Sequence, residues 1–209
     1  MSQGIVQNEL PLLSRTPERW AAEVIGEPLA LLNDHAYLEK KAASNALELL
    51  NRWPEPQCPA PWPSILAAIA CDEAAHLGSV IRILGRRGGR LERTHRNPYA
   101  SALRALVRKG SGNQELLDRL LVSALIEARS CERFDVLARC CGDRELARFY
   151  ARLGRSELGH YRVFLELAEL VVSRAETEAR WDEMLRVEVE ILTAQPPGPR
   201  IHSGIRPPD

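Results

Sequence analysis

Glu73 and His76 stand three residues apart in the run Cys71-Asp72-Glu73-Ala74-Ala75-His76, and Glu157 and His160 repeat the spacing further along. On an α-helix this separation puts a carboxylate and an imidazole on one face, a turn apart. Two such side chains can hold one metal ion. A single Glu-x-x-His match carries little weight, because a chain of 209 residues with 21 glutamates and 5 histidines offers roughly half a match by chance.

The remaining ligands decide the matter. Glu39 falls in an apolar stripe with Leu29, Leu32, Ala36, Ala43, Ala46 and Leu50, and Glu127 falls amid Leu120, Leu121, Ala124, Cys131 and Phe134. A carboxylate on a buried face is costly unless something pairs with it. Glu39 precedes Glu73 by 34 residues and Glu127 precedes Glu157 by 30, so the order Glu, Glu-x-x-His occurs twice. Two Glu and two Glu-x-x-His, all facing inward, form the ligand set of a di-iron or di-manganese carboxylate site in a helix bundle. Hard carboxylates suit oxidised iron, and one imidazole per metal completes each shell while leaving positions open for oxygen.

The predicted ligands are therefore Glu39, Glu73, His76, Glu127, Glu157 and His160. No Arg or Lys matches the four carboxylates, and burying them without cations is implausible. Glu92-x-x-His95 also has the spacing, but it lies in a Gly/Arg-rich break and is expected at the surface. Asp72 should point about 100° away from Glu73 around the helix. There it is expected to accept a hydrogen bond from a ligand imidazole, His160, across the bundle.

The elements that must position these groups are helices. Leu, Ala, Glu and Arg dominate, and Val/Ile/Thr runs are scarce, which favours helix over sheet. Thr16 and Pro17 read as the N-cap and first residue of a short helix stopped by Gly26. Longer helices are predicted over 28–52, 63–84, 114–140, 143–172 and 176–193, with a shorter one over 98–109. Five prolines between Trp53 and Pro63 make that stretch an extended connector. The outline is all-α: a ferritin-like four-helix bundle with additional short helices and one long crossover between the second and third long helices. Residues 1–194 are expected to form one domain and 195–209 a Pro-rich C-terminal tail.

The net charge is zero, but the crossover is strongly basic. Arg82, Arg86, Arg87, Arg90, Arg93, Arg96, Arg104, Arg108 and Lys109 face only one acid, Glu92. That asymmetry points to a polyanionic partner, nucleic acid before membrane. Five irregularly spaced cysteines contain no C-x-x-C pair, so zinc and thiol-redox chemistry are disfavoured. No leader-like segment or long uncharged apolar run appears, and a cytoplasmic location is expected.

The string Glu127-Ala128-Arg129-Ser130-Cys131-Glu132-Arg133-Phe134, with Ser156-Glu157-x-x-His160-Tyr161 and Asp72-Glu73-x-x-His76, resembles the bacterial tRNA 2-methylthio-isopentenyladenosine hydroxylases. The likeness extends over roughly Trp20 to Leu192. It implies two non-haem iron ions, dioxygen as co-substrate and an external electron donor, a reductase or a ferredoxin-type protein. It further implies hydroxylation of an isopentenyl methyl on the modified adenosine beside the tRNA anticodon. The basic crossover suits the phosphates of that partner. Competing readings are a di-iron hydroxylase of a quinone-like lipid, a ferritin-like iron-storage or peroxide-scavenging protein, and a tyrosyl-radical scaffold using Tyr37, Tyr150 or Tyr161.

Overall fold

In the computed structural model residues 10–206 are described. They form α1 (Glu18–Ile25), α2 (Pro28–Leu50), α3 (Trp62–Arg86), α4 (Pro98–Arg104), α5 (Asn113–Cys140), α6 (Arg144–Glu169) and α7 (Arg174–Thr193). There is no strand among the described residues, and the all-α expectation holds. Local chemistry sets most of the boundaries. Pro28 opens α2 at its first position, where a missing N–H costs nothing. The Asp143 carboxylate caps α6 by accepting from the N–H groups of Glu145 and Leu146 at 2.9 and 3.1 Å.

Several boundaries differ from the sequence expectation. Thr16 is not a cap: Pro17 takes the N-cap position of α1, and Thr16 instead donates through its N–H and hydroxyl to Glu132, both at 2.6 Å. Helix α4 stops at Arg104, five residues early, and α6 stops at Glu169. Leu29 is exposed and does not join the stripe of α2.

The four long helices pack as two close pairs, α2 with α3 and α5 with α6. Two apolar clusters fill the bundle, one at each end. Trp62, Leu66, Leu121 and Phe164 belong to the first, and Leu32, Val80, Phe134 and Leu153 to the second. On three of the four long helices the predicted ligand glutamate falls between the two clusters, Glu39 between Ala36 and Ala46, Glu73 between Ala70 and Val80, and Glu157 between Leu153 and Phe164, whereas Glu127 on α5 lies inside the first cluster, between Leu125 and Ala128. Each fully buried large apolar side chain contributes about 1.5–3 kcal/mol, so the flanking layers stabilise a polar band that would not assemble alone.

Helix α3 is long and apolar enough to pass a test for a membrane span, with mean hydropathy 1.4 over eighteen residues. Its inward face carries Leu66, Ile69, Glu73 and Val80 into the bundle. The crossover is pinned to α2: Asn33 accepts from the Glu92 N–H at 2.9 Å, Asp34 meets His95 at 2.7 Å, and the Tyr37 hydroxyl donates to the Glu92 carbonyl. The segment after α7 has no helix, as its prolines dictate, yet it folds back into the bundle. Ile201, His202 and Ser203 are buried. Gly204 approaches Gln195 so closely that a Cβ would lie 1.8 Å from its carbonyl oxygen.

Candidate metal centre

All six predicted ligands converge. Their donor atoms form two overlapping groups, Glu39, Glu73, His76 and Glu157 in one and Glu73, Glu127, Glu157 and His160 in the other. Within each group the atoms lie within 4.8 Å of one another. Glu73 and Glu157, the carboxylates of the two Glu-x-x-His units, are common to both. Glu39 with His76 completes one side, and Glu127 with His160 completes the other.

The contacts are close and dry. His76 Nδ1 lies 3.5 Å from Glu157, 3.6 Å from Glu39 and 3.7 Å from Glu73. His160 Nδ1 lies 2.7 Å from Glu73 and 3.3 Å from Glu157. The four glutamates and His160 are buried, and His76 is partly so. Both Glu157 carboxylate oxygens and His76 Nδ1 are buried without a hydrogen bond, and His160 Nδ1 approaches Glu73 Oε1 to 2.7 Å without hydrogen-bond geometry. Orphaned donors and acceptors of this kind are rare in native interiors. Here they are the atoms a pair of oxygen- and nitrogen-preferring cations would take, so the residues fit a di-metal group.

Electrostatics supports that fit. Burial pushes the Glu39 and Glu127 carboxyls above the usual carboxylate range, and the neighbouring Glu157 adds to both effects. Glu73 is raised to about 7 by burial and by Glu157. Burial works against charge on His76, but Glu157, Glu39 and Glu73 outweigh it and push this imidazole up to about 12. His160 rises to about 10, where Glu157 and Glu73 likewise outweigh burial. Without metal, protons occupy the place of the missing positive charge.

Asp72 lies where the sequence placed it. Its Oδ2 is 3.4 Å from His160 Nε2, on the side of the ring away from the cluster, although the carboxylate is largely exposed. Glu92 and His95 do not join the cluster. Glu92 is exposed as expected, but the His95 side chain is buried, stacked on Tyr37 at 4.9 Å and held by Asp34 and Lys41. The surface expectation therefore fails for His95, because α2 offers it a carboxylate and an aromatic face. Among the tyrosines, Tyr150 stacks on His35, which touches Glu39, at 5.5 Å, whereas the ring of Tyr37 pairs with His95 and that of Tyr161 with Trp181.

The basic residues divide. Arg87 pairs with Asp143 and Glu145 at 2.7 and 2.9 Å, Arg86 with Glu145, and Arg108 with Asp118 at 2.8 Å. Arg82, Arg90, Arg93, Arg96, Arg104 and Lys109 are exposed and show no carboxylate partner among the described residues.

Sequence reasoning missed two features. His35, one turn before Glu39, is fully buried and reaches Glu39 with Nε2 at 2.5 Å; the i,i+4 spacing was the available signal. The second is a buried ionic network beside the site. Arg129 binds Glu188 of α7 through two 2.9 Å bonds and Glu132 at 3.2 Å. Arg133 lies over the Trp20 ring at 4.0 Å and donates to the Ser203 carbonyl.

A ferritin-like bundle enclosing a carboxylate–histidine pair of this symmetry defines the class, the di-metal carboxylate proteins. Comparison narrows it. Residues 5–203 match the family model described as tRNA-(MS[2]IO[6]A)-hydroxylase (MiaE), and the chain belongs to that family. It is 38% identical to a Pseudomonas putida protein named tRNA 2-(methylsulfanyl)-N(6)-isopentenyladenosine(37) hydroxylase, over 91% of this chain and 90% of that one. A Salmonella typhimurium protein of the same name is 29% identical, over 91% and 86%. A solved Synechococcus structure, described as a protein with aldehyde deformylating oxygenase activity, superposes with TM-score 0.84 at 31% identity, covering 92% of this chain and 96% of that one.

Proposed function

We propose that this chain is a tRNA-modifying monooxygenase that hydroxylates the isopentenyl side chain of 2-methylthio-isopentenyladenosine beside the anticodon. The observation that carries the reading is the convergence of two Glu and two Glu-x-x-His units in a member of this family. Glu39, Glu73, His76, Glu127, Glu157 and His160 would hold two iron ions, Glu73 and Glu157 being the carboxylates common to both donor groups. When bound, those ions supply reductive activation of dioxygen. The overall change balances as one C–H bond becoming C–OH, the second oxygen atom leaving as water, and two electrons with two protons arriving from outside. A reductase or ferredoxin-type protein is the class of donor required.

The chain's own residues do the rest. Asp72 accepts from His160 Nε2–H and fixes which ring nitrogen faces the cluster. Phe134, Leu38 and Ile126 keep the inner cavity beside the carboxylates apolar, which excludes water from a reactive site. The exposed arginines of the crossover and Lys109 bind tRNA phosphates. Such an enzyme works in the cytoplasm, where its tRNA is.

The test is incubation of iron-loaded protein with a reductant, air and tRNA carrying the prenylated adenosine, followed by nucleoside mass analysis. The reading expects the nucleoside to gain one oxygen atom. Unchanged nucleoside with stoichiometric iron in place overturns it.

A further inference from the structure

We propose that the prenyl group reaches the cluster through a passage between α2 and α5, walled on one side by α4, with the modified adenine lodged at its outer end. This rests on the function proposed above. Three cavities make up the passage. The outer one is a basin of about 440 Å³ whose cations are Lys41, Arg104, Lys109 and Arg119. The middle one, about 40 Å³, shares Lys41, Asn45, Arg104 and Val122 with the basin. The innermost, about 20 Å³, shares Leu38, Ala42, Ile126 and Glu127 with the middle one and ends on Glu39, Glu73 and Glu157. Outer and innermost cavities have no residue in common, so the middle one joins them in line.

Helix geometry explains the alignment. Glu39, Ala42, Asn45 and Glu48 follow at three-residue steps along α2, and Glu127, Ser123 and Arg119 at four-residue steps along α5. The α5 series drifts only about 40° per step and stays on one face, whereas the α2 series winds about 60° per step around its helix as it rises about 13 Å over nine residues. Along that length the lining changes from four cations with one acid, Glu48, to amides and hydroxyls, then to alkyl side chains, then to carboxylates. Asn45 donates to Ser123 at 2.9 Å across the two helices where the outer and middle cavities meet. A prenylated nucleotide has the same order of chemistry, from anionic phosphate through a polar base to an apolar tip.

A second basic basin, about 380 Å³ with Arg82, Arg86, Arg148 and Arg152, has no residue in common with the innermost cavity. The cations that face the entry are therefore Arg104 and Lys109 from the crossover, joined by Lys41 and by Arg119, which is itself paired with Glu115 and Glu48. The inner cavities have about the room of a single water each, so Leu38 and Ile126 turn aside to admit the chain.

Ala42 lines both inner cavities and is the point to obstruct. In the series Ala42→Val, Ala42→Leu and Ala42→Phe, hydroxylation should fall stepwise, to about 100-fold or lower at Phe, while iron content and tRNA affinity stay at wild-type level. Ala42→Cys should be labelled by a thiol reagent beyond the native cysteines, and prenylated tRNA should suppress that labelling where unprenylated tRNA does not. Arg104→Glu with Lys109→Glu should raise KM more than Arg86→Gln with Arg87→Gln. Wild-type turnover in the iron-replete Leu or Phe variant, or equal labelling of the Cys variant with both tRNAs, overturns the passage. The labelling arm decides the matter if the bulky variants lose iron. Absence of hydroxylation in the wild-type protein removes the function itself, a result visible before any variant is made.

Discussion

His35 Nε2 lies 2.5 Å from Glu39 Oε1, one helical turn before it, inside a cage of Phe134, Phe149 and Tyr150. Burial pushes His35 down to about 4, so it is neutral at physiological pH. A neutral imidazole serves a carboxylate by donating its N–H, and His35 would thereby fix which Glu39 oxygen a bound metal takes. His35→Leu should weaken iron binding about 10–100-fold in a chelator competition. His35→Gln, which keeps a donor, should recover part of the loss.

Metal binding should expel protons. His76 and His160, raised to about 12 and about 10, stay protonated at neutral pH in the metal-free protein, and burial makes the Glu39 and Glu127 carboxyls hold their protons more tightly than a free carboxyl does. Ligation requires the deprotonated imidazoles and carboxylates. Apparent iron affinity therefore falls as pH falls, and titration in weak buffer should show acidification. A pH-independent affinity between 6 and 8 contradicts the ligand assignment.

Glu73→Ala or His160→Ala should abolish stoichiometric iron. Each removes a donor at the centre of the cluster, and Glu73 is shared by both sides. Iron analysis after reconstitution checks this, with Glu92→Ala as the control that should load normally.

Glu188→Ala should leave the Arg129 guanidinium buried without its bidentate partner, at a cost of about 3–5 kcal/mol in urea unfolding. Ile201→Ala should cost about 2–5 kcal/mol, because this tail residue is fully buried beside α1 and α2.

The helices and the six residues that converge were legible because both signals are local. Apolar periodicity marks a helix face, and a glutamate interrupting it at Glu39 or Glu127 stands out against that pattern. What escaped is encoded in pairs distant in sequence. Nothing near Thr16 announces a bond to Glu132, and nothing in a Pro-rich tail announces that Ser203 will accept from Trp20 at 2.9 Å. The nine basic residues were read as one charged block, whereas Asp143, Glu145 and Asp118 neutralise three of them in space. Lys41 and Arg119, which face the passage, lie outside that block and gave no sign as a group.

The most direct test of the central claim uses isotopically labelled dioxygen. Reduced, iron-loaded protein and prenylated tRNA are mixed under the labelled gas, and the product nucleoside is weighed. The account predicts that the new hydroxyl carries the label at one atom per product molecule, and that Glu157→Ala forms none. A hydroxyl whose oxygen comes from water would contradict it.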